Sequence, residues 1–346
     1  MVHRLIFSRM NTWEVGMTMD KMMGIVRRTL TGACIVAACG LSQAAQAEPV
    51  KIRIGFGGAA EEQMWLLMSK PELAKNNGKL YTIEGTKFQG SDKRAQAFEA
   101  GAIDLSQGAA NGVIFAAAEG IHAKIIASLA RESSKGFSTT FYSKADSGIK
   151  TIADMKGKTI GINGYYTSGH LWLRAALEKD GNIKESDVTI ARVSFSAMQE
   201  SLASGKIDIG MFPQPFAALL EKDVKVNKLF DAKYGMPFDE ELTVLAGKDE
   251  FLQKNRTAIR ALLSDLMDVT RYYLAKPNEA KQFLIDAKMV RVSPEVYMSM
   301  KDYYRDPTMR PNAEALQQMH DFQVKAGFQK KSVDIKALVD TSYLPD

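Results

Sequence analysis

The feature that most constrains this chain is a repeat. Ala100-Gly101-Ala102-Ile103-Asp104-Leu105 is answered 104 residues later by Ser204-Gly205-Lys206-Ile207-Asp208-Ile209. Each copy sits in a run of the same order: strand, glycine-bearing turn, amphipathic helix, strand, hydroxyl-bearing loop, helix. The opening strands match at a similar lag, with Gly55 against Gly161. GFGGAAEEQMWLLMSKPELAKNNG also parallels GINGYYTSGHLWLRAALEKDG. This is the pattern of a duplicated β-α-β-α-β unit. Two unrelated α/β units that share Gly-x-x-Asp turns are the alternative. Either way the fold class is α/β. Units of this kind form open parallel sheets and bind ligands off the carboxyl ends of their strands.

The first unit reads as strands over 51–56, 81–88, 101–105 and 124–129. A helix follows Gly57, closed by Asn76-Asn77-Gly78; a second runs to Glu99, and a third over 113–119. The second unit, Lys156–Phe216, starts with strands over 159–163 and 188–193. Two extended segments, 137–143 and 242–247, are expected to cross between lobes and act as a hinge. Lobe 1 is then 48–138 plus 248–346, and lobe 2 is 143–242. Apolar positions at helical spacing make 249–287 helical, interrupted by Pro277 into two helices. Ser293-Pro294-Glu295 caps a further helix, and 312–326 forms another. The pairs Tyr272-Tyr273 and Tyr303-Tyr304 read as core and surface aromatics.

Composition at 46% hydrophobic and 25% charged is that of a globular protein, and 346 residues suffice for two modest lobes. The N-terminal segment differs. Arg27-Arg28, the apolar run Leu30–Leu41 and Ala45-Gln46-Ala47 form a secretory signal cleaved after Ala47, with the start at Met1, Met22 or Met23. A competing reading is a lipoprotein box, Val36-Ala37-Ala38-Cys39, anchored at Cys39. Both cysteines, Cys34 and Cys39, lie in this segment. The mature chain would hold no disulfide, thiolate nucleophile or cysteine metal site. Without the signal's five Lys/Arg and two Asp/Glu the net charge is +2, and no basic run points to nucleic acid.

No catalytic motif stands out: there is no Gly-x-Ser-x-Gly elbow, P-loop or His-Glu-x-x-His. His122 and His320 read as structural. The candidate ligand residues are those at strand-to-helix turns. In lobe 1 they are Gly57, Gly58, Gln89, Ser91, Ala110 and Asn111. In lobe 2 they are Tyr165, Tyr166, Thr167, Ser168, His170, Ser196, Phe212 and Gln214. Helix starts with free N–H groups, hydroxyls and amides can surround an oxyanion without a bulky cation. For Ser91 plain capping explains the residue as well. Tyr165-Tyr166, Phe56, Phe195 and Phe212 would give an apolar wall. The expected ligand is a small organic anion, a sulfonate or a carboxylate, with an apolar or aromatic body. No metal and no cofactor are expected, and the protein is expected to be a monomer.

The stretch Gly148–Gly161 (GIKTIADMKGKTIG) resembles the lobe 2 entry of periplasmic binding proteins of the nitrate/sulfonate/taurine group of ABC importers. Asp187-Val188, Ala203-Ser204-Gly205-Lys206-Ile207-Asp208 and Phe212-Pro213-Gln214-Pro215 extend the likeness. The resemblance implies the two-lobed type II binding-protein fold, closure on a ligand, and delivery to a permease in the inner membrane. Two departures stand out. Family members often carry an acid where this chain has Gln214. Relatives that make the thiamine pyrimidine often carry a cysteine-rich motif, and the mature chain has no cysteine. An enzyme on the same fold, in which His170 would matter chemically, and a ligand-sensing partner of a membrane receptor are the alternatives.

Overall fold

The computed structural model describes residues 48–346 apart from 58, 59, 89, 181 and 182. The expected signal, with Cys34 and Cys39, and the candidates Gly58 and Gln89 lie outside the described residues. Among the described residues, ten strands form two five-stranded sheets. The first sheet holds β1 (Val50–Phe56), β2 (Tyr81–Lys87), β3 (Leu105–Gly108), β4 (Ala123–Glu132) and β10 (Glu240–Lys248). The second holds β5 (Thr140–Lys144), β6 (Thr159–Ile162), β7 (Thr189–Arg192), β8 (Ile209–Phe212) and β9 (Val226–Asp231). The strand orders are β2-β1-β3-β10-β4 and β7-β6-β8-β5-β9. They are the same order once β10 and β5 are exchanged.

The repeat survives into contacts. Ile54 pairs with Leu105 and Gly55 with Ser106; Ile160 pairs with Ile209 and Gly161 with Gly210. Asp104 accepts the Arg53 N–H at 2.9 Å, and Asp208 accepts the Thr159 N–H at 2.8 Å. A Cβ on Gly55 would lie 2.4 Å from Ile103 Cδ1, and one on Gly161 would lie 2.6 Å from Ile207 Cδ1. Glycine stands at these positions because the isoleucine of each repeat packs on the backbone. Equivalent residues therefore do equivalent work, and shared turn chemistry alone does not account for that.

The sheets are mixed, where parallel ones are predicted. β10 runs antiparallel to β3 and β4, and β5 antiparallel to β8 and β9. These two strands are the ones that have just crossed from the other sheet. Because the lobes face each other across strand carboxyl ends, a crossing chain enters at that end and must run the opposite way. The crossings also fall elsewhere than expected. Leu242–Gly247 lies inside β10, buried and paired on both sides. The chain passes between sheets at 133–139 and 232–239 instead. A fully buried strand and an extended link look alike as a short apolar run.

The helices between strands are α1 (Glu62–Ser69), α2 (Ser91–Glu99), α3 (Ala110–Ala118), α4 (Ser168–Asp180), α5 (Phe195–Ala203) and α6 (Phe216–Asp223). α1 stops ahead of Pro71, not at Asn76-Asn77-Gly78, because proline cannot continue a helix. After β10 come α7 (Asp249–Lys254), α8 (Arg256–Ala275), α9 (Pro277–Asp286), α10 (Pro294–Ser299), α11 (Ala313–Lys325) and α12 (Ile335–Leu338). The run after β10 is thus three helices, broken at Asn255 as well as before Pro277. On α8, Ile259, Leu262, Leu263, Leu266 and Val269 are fully buried against Leu66 and Leu67 of α1. On α4, Leu171, Leu173, Ala176 and Leu177 bury against Ile160 and Ile162. Each such Leu or Ile contributes about 1.5–3 kcal/mol by leaving water. α8 therefore packs against α1, α10 also touches α6 through Lys222 and Glu295, and α11 reaches the seam through Gln323.

Candidate functional site

The first strand-to-helix turn of each lobe carries one left-handed residue two positions ahead of its helix. Ala60 and Tyr166, 106 residues apart, both adopt left-handed φ values, 55° and 57°. Such a conformation is unusual for a residue with a side chain and marks a constrained turn. A side-chain amide holds each turn's carbonyl: Gln107 Nε2 donates to Ala60 O at 3.0 Å, and Asn111 Nδ2 donates to Tyr166 O at 3.3 Å. The turns present different residues to the seam. Lobe 1 places Glu61-Glu62 at the start of α1, where lobe 2 places Thr167-Ser168 at the start of α4.

Two interlobe clusters result. In the first, Ser168 donates to Asn111 Oδ1 at 2.9 Å, and Gln323 Nε2 of α11 donates to Asn111 O at 3.1 Å. Asn111 and Ala110 are fully buried. Tyr166 stacks on Phe115 of α3 with centroids 5.9 Å apart and meets Phe328 edge-on at 5.5 Å. His170 is buried, accepts the Tyr166 N–H at Nδ1 (3.1 Å) and faces Glu185 Oε1 from Nε2 at 3.2 Å. Burial lowers the His170 pKa, with the Glu185 carboxylate opposing. Tyr165 is exposed and donates to Ile190 O at 3.3 Å. Thr167 spends its hydroxyl on Gly164 O (2.7 Å) and Asn163 Oδ1 (3.0 Å), so it holds its own turn.

The second cluster is a cavity of about 70 Å³ between the lobes. Lobe 2 supplies Gln214, Pro215 and Phe216. Lobe 1 supplies Glu61, Trp65 and Lys87 from its first turn and β2, and Met289, Arg291 and Tyr297 from beyond α9. Lys87 Nζ lies 2.8 Å from Glu61 Oε2 and 5.2 Å from the Trp65 ring centroid. Glu62 lines the cavity too and is held by Arg305 Nη2 at 2.6 Å. Arg94 is buried behind the same turn and donates from Nη1 to Gly57 O at 2.8 Å. Burial lowers the Arg94 pKa to about 10, against the pull of Glu61, so it stays a cation at neutral pH. Among the described residues no group of three or more His, Cys, Asp or Glu could hold a metal ion.

The sequence-predicted residues thus separate. Asn111, Tyr166, Ser168 and His170 come together at one seam, and Gln214 lines the cavity. Gly57, with φ 137°, holds the turn by accepting from Arg94. Ser91 is the first residue of α2, behind the cap position, which is Gly90, and makes no capping bond. Ser196 is exposed, 3.2 Å from Ser194 Oγ, and is not among the residues lining this cavity. Phe212 is not a cleft wall. It is fully buried in the lobe 2 core, edge-on to Tyr142 at 5.8 Å, because strand alternation points it inward. Phe216 takes that role, with Phe195 tilted against it at 5.9 Å. Sequence reasoning missed Glu61, Trp65, Lys87, Arg94, Arg291 and Tyr297. The Glu61-Glu62 pair beside a strand end was a usable signal; Arg291 and Tyr297 arrive from more than 200 positions away. The arrangement is also less free of cations than expected.

The family described as NMT1/THI5 like matches residues 85–280 of this chain. A putative thiamine biosynthesis protein of Haemophilus influenzae is 30% identical over 200 residues, 55% of this chain and 61% of that protein. A putative aliphatic sulfonates-binding protein of Escherichia coli is 23% identical over 322 residues, 91% of this chain and 96% of that one. Among solved structures, the ligand-binding component of an ABC-type import system from Staphylococcus aureus, with zinc bound, superposes with a TM-score of 0.70. It is 19% identical and covers 85% of this chain and 97% of its own. The architecture is that of the type II periplasmic binding proteins.

Proposed function

The chain belongs to the NMT1/THI5-like family, and on that premise we propose that it is a periplasmic solute-binding protein of an ABC importer. It takes a small organic acid, sulfonate or carboxylate, between its lobes and hands it to a permease. The observation that carries this reading is the cavity lined by both lobes. Trp65 and Phe216 offer apolar walls, and Lys87 and Arg291 offer cations. A ligand touching both lobes supplies the differential affinity that shifts an open–closed equilibrium. Export with cleavage after Ala47, or a lipid anchor at Cys39, places such a monomeric carrier outside the inner membrane. No helix among the described residues is long and apolar enough to cross a membrane. Binding rather than catalysis fits His170, the residue an enzyme reading would use: both its ring nitrogens are engaged within the protein.

Titration calorimetry on the mature chain tests this. Hexanesulfonate, benzenesulfonate, hexanoate and benzoate are compared with nitrate and bicarbonate. At least one organic acid is expected to bind, and Arg291→Ala is expected to weaken it about tenfold through loss of a charge-assisted contact. Tight binding of nitrate or bicarbonate with no organic acid bound would overturn the reading.

A further inference from the structure

Two residues that line the interlobe cavity each hold a deeply buried polar atom that makes no hydrogen bond within the protein. One is Oε1 of Glu61, a residue 3% exposed; the other is the hydroxyl of Tyr297, 1% exposed. A buried polar group without a partner is costly, so such groups mark places where a partner is supplied from elsewhere. The two come from separate parts of the chain, the start of α1 and the body of α10. Both residues line the cavity, and the Tyr297 hydroxyl also lies within electrostatic reach of the Glu62–Arg305 pair.

Resting on the reading of the cavity as the solute site, we infer that Glu61 Oε1 and the Tyr297 hydroxyl select an acid whose body also carries a neutral N–H donor. The chemistry follows from what each atom can do. A carboxylate oxygen accepts only, so Glu61 needs a donor, and a phenol can accept a second N–H or donate to an acceptor beside it. The charge of the donor follows from the neighbours. Lys87 already sits 2.8 Å from the other oxygen of Glu61, and buried Arg94 lies within electrostatic reach of the same carboxylate. An ammonium would enter a carboxylate that is already neutralised, beside two cations. An arylamine or amide N–H meets no such opposition. Arg291 at the exposed rim takes the acid end, and the Trp65 ring takes the flat body between.

The test uses matched acids on the mature chain: 4-aminobenzenesulfonate against benzenesulfonate, 4-aminobenzoate against benzoate, and 4-(aminomethyl)benzoate as the ammonium-bearing probe. The arylamine member of each pair is expected to bind about tenfold tighter, the size of one hydrogen bond to a charged acceptor. In Glu61→Ala the preference is expected to vanish, while the plain acids bind as well or better because Lys87 is released. Tyr297→Phe, which keeps the ring, is expected to lose a smaller part of the preference. Equal binding within both pairs, or a preference that survives Glu61→Ala and Tyr297→Phe, would overturn the assignment while leaving the acid reading intact. Tighter binding of 4-(aminomethyl)benzoate than of 4-aminobenzoate would overturn the neutral-donor claim. Failure of all five acids to bind would overturn the assignment, and failure of hexanesulfonate and hexanoate as well would overturn the acid reading with it.

Discussion

Glu62 and Arg305 stand 243 positions apart and meet at 2.6 Å with both side chains buried. Arg305 also donates to Gln63 Oε1 at 3.1 Å and lies over the Tyr273 ring at 4.8 Å. Burial raises the Glu62 pKa, and the Arg305 charge works against it. Removing one member leaves the other charge buried without compensation, which costs about 3–5 kcal/mol. Arg305→Ala is therefore expected to lower the urea midpoint steeply; a loss under about 1 kcal/mol would show that water reaches Glu62. Nothing in the sequence pairs these residues, since no periodicity spans that distance. Asp104 and Asp208 are the opposite case. Their Gly-x-x-Asp setting was visible, and each accepts a backbone N–H of the neighbouring strand, from Arg53 within β1 and from Thr159 at the start of β6.

At the scale of elements, the starts of α3 and α4 meet through the Ser168–Asn111 bond. This bond joins one lobe to the other, so it contributes only while the lobes are together. Asn111→Ala and Ser168→Ala are each expected to weaken solute binding about five- to tenfold, with the double variant no worse than either. Additive losses would mean the residues act separately. Thr167→Ala should leave affinity unchanged, because its hydroxyl serves Gly164 and Asn163. The first turns of the two units read alike in sequence as glycine-bearing turns between a strand and a helix. What separates them is Tyr166 against Ala60 at the left-handed position, and glutamates against hydroxyls just after it.

The whole molecule is joined where the chain crosses between lobes, and two buried carboxylates sit there. Glu132 ends β4 and Glu240 opens β10, directly opposite each other in the sheet. Glu132 accepts from the Thr139 N–H (2.8 Å) and hydroxyl (2.6 Å) on one crossing segment. Glu240 accepts from Trp172 Nε1 of α4 at 2.6 Å. Burial raises Glu132 to about 7, with Asp231 adding to it and the Thr139 bonds opposing. Burial raises Glu240 to about 8, with Glu132 and Glu241 adding to it and Trp172 and Lys233 opposing. A carboxyl raised above its unfolded value near 4.5 stabilises the fold at low pH and loses that contribution as pH rises through the folded value. Both histidines with resolved shifts, His170 and His320, are lowered and act below about pH 6.5. Stability is therefore expected to fall by about 2–3 kcal/mol between pH 6.5 and 9. Glu240→Gln, which keeps an oxygen for Trp172, should flatten that slope in denaturant titrations; an unchanged slope would sink the assignment.

The sequence by itself determined the repeat, the α/β alternation, most helix starts and the strands that carry the site, because all of these rest on local periodicity and turn chemistry. It placed Asn111, Ser168 and Gln214 at the seam through their positions just after strands. It could not say that Phe212 faces the core while Phe216 faces the cavity, or that Leu242–Gly247 is a central strand. Those are decided by which side of a sheet a residue meets, and by which strand the returning chain pairs with. Only the tertiary structure brought Arg291 and Tyr297 against Glu61 and Trp65, since a cavity between two lobes is made of residues whose only relation is the fold that brings them together.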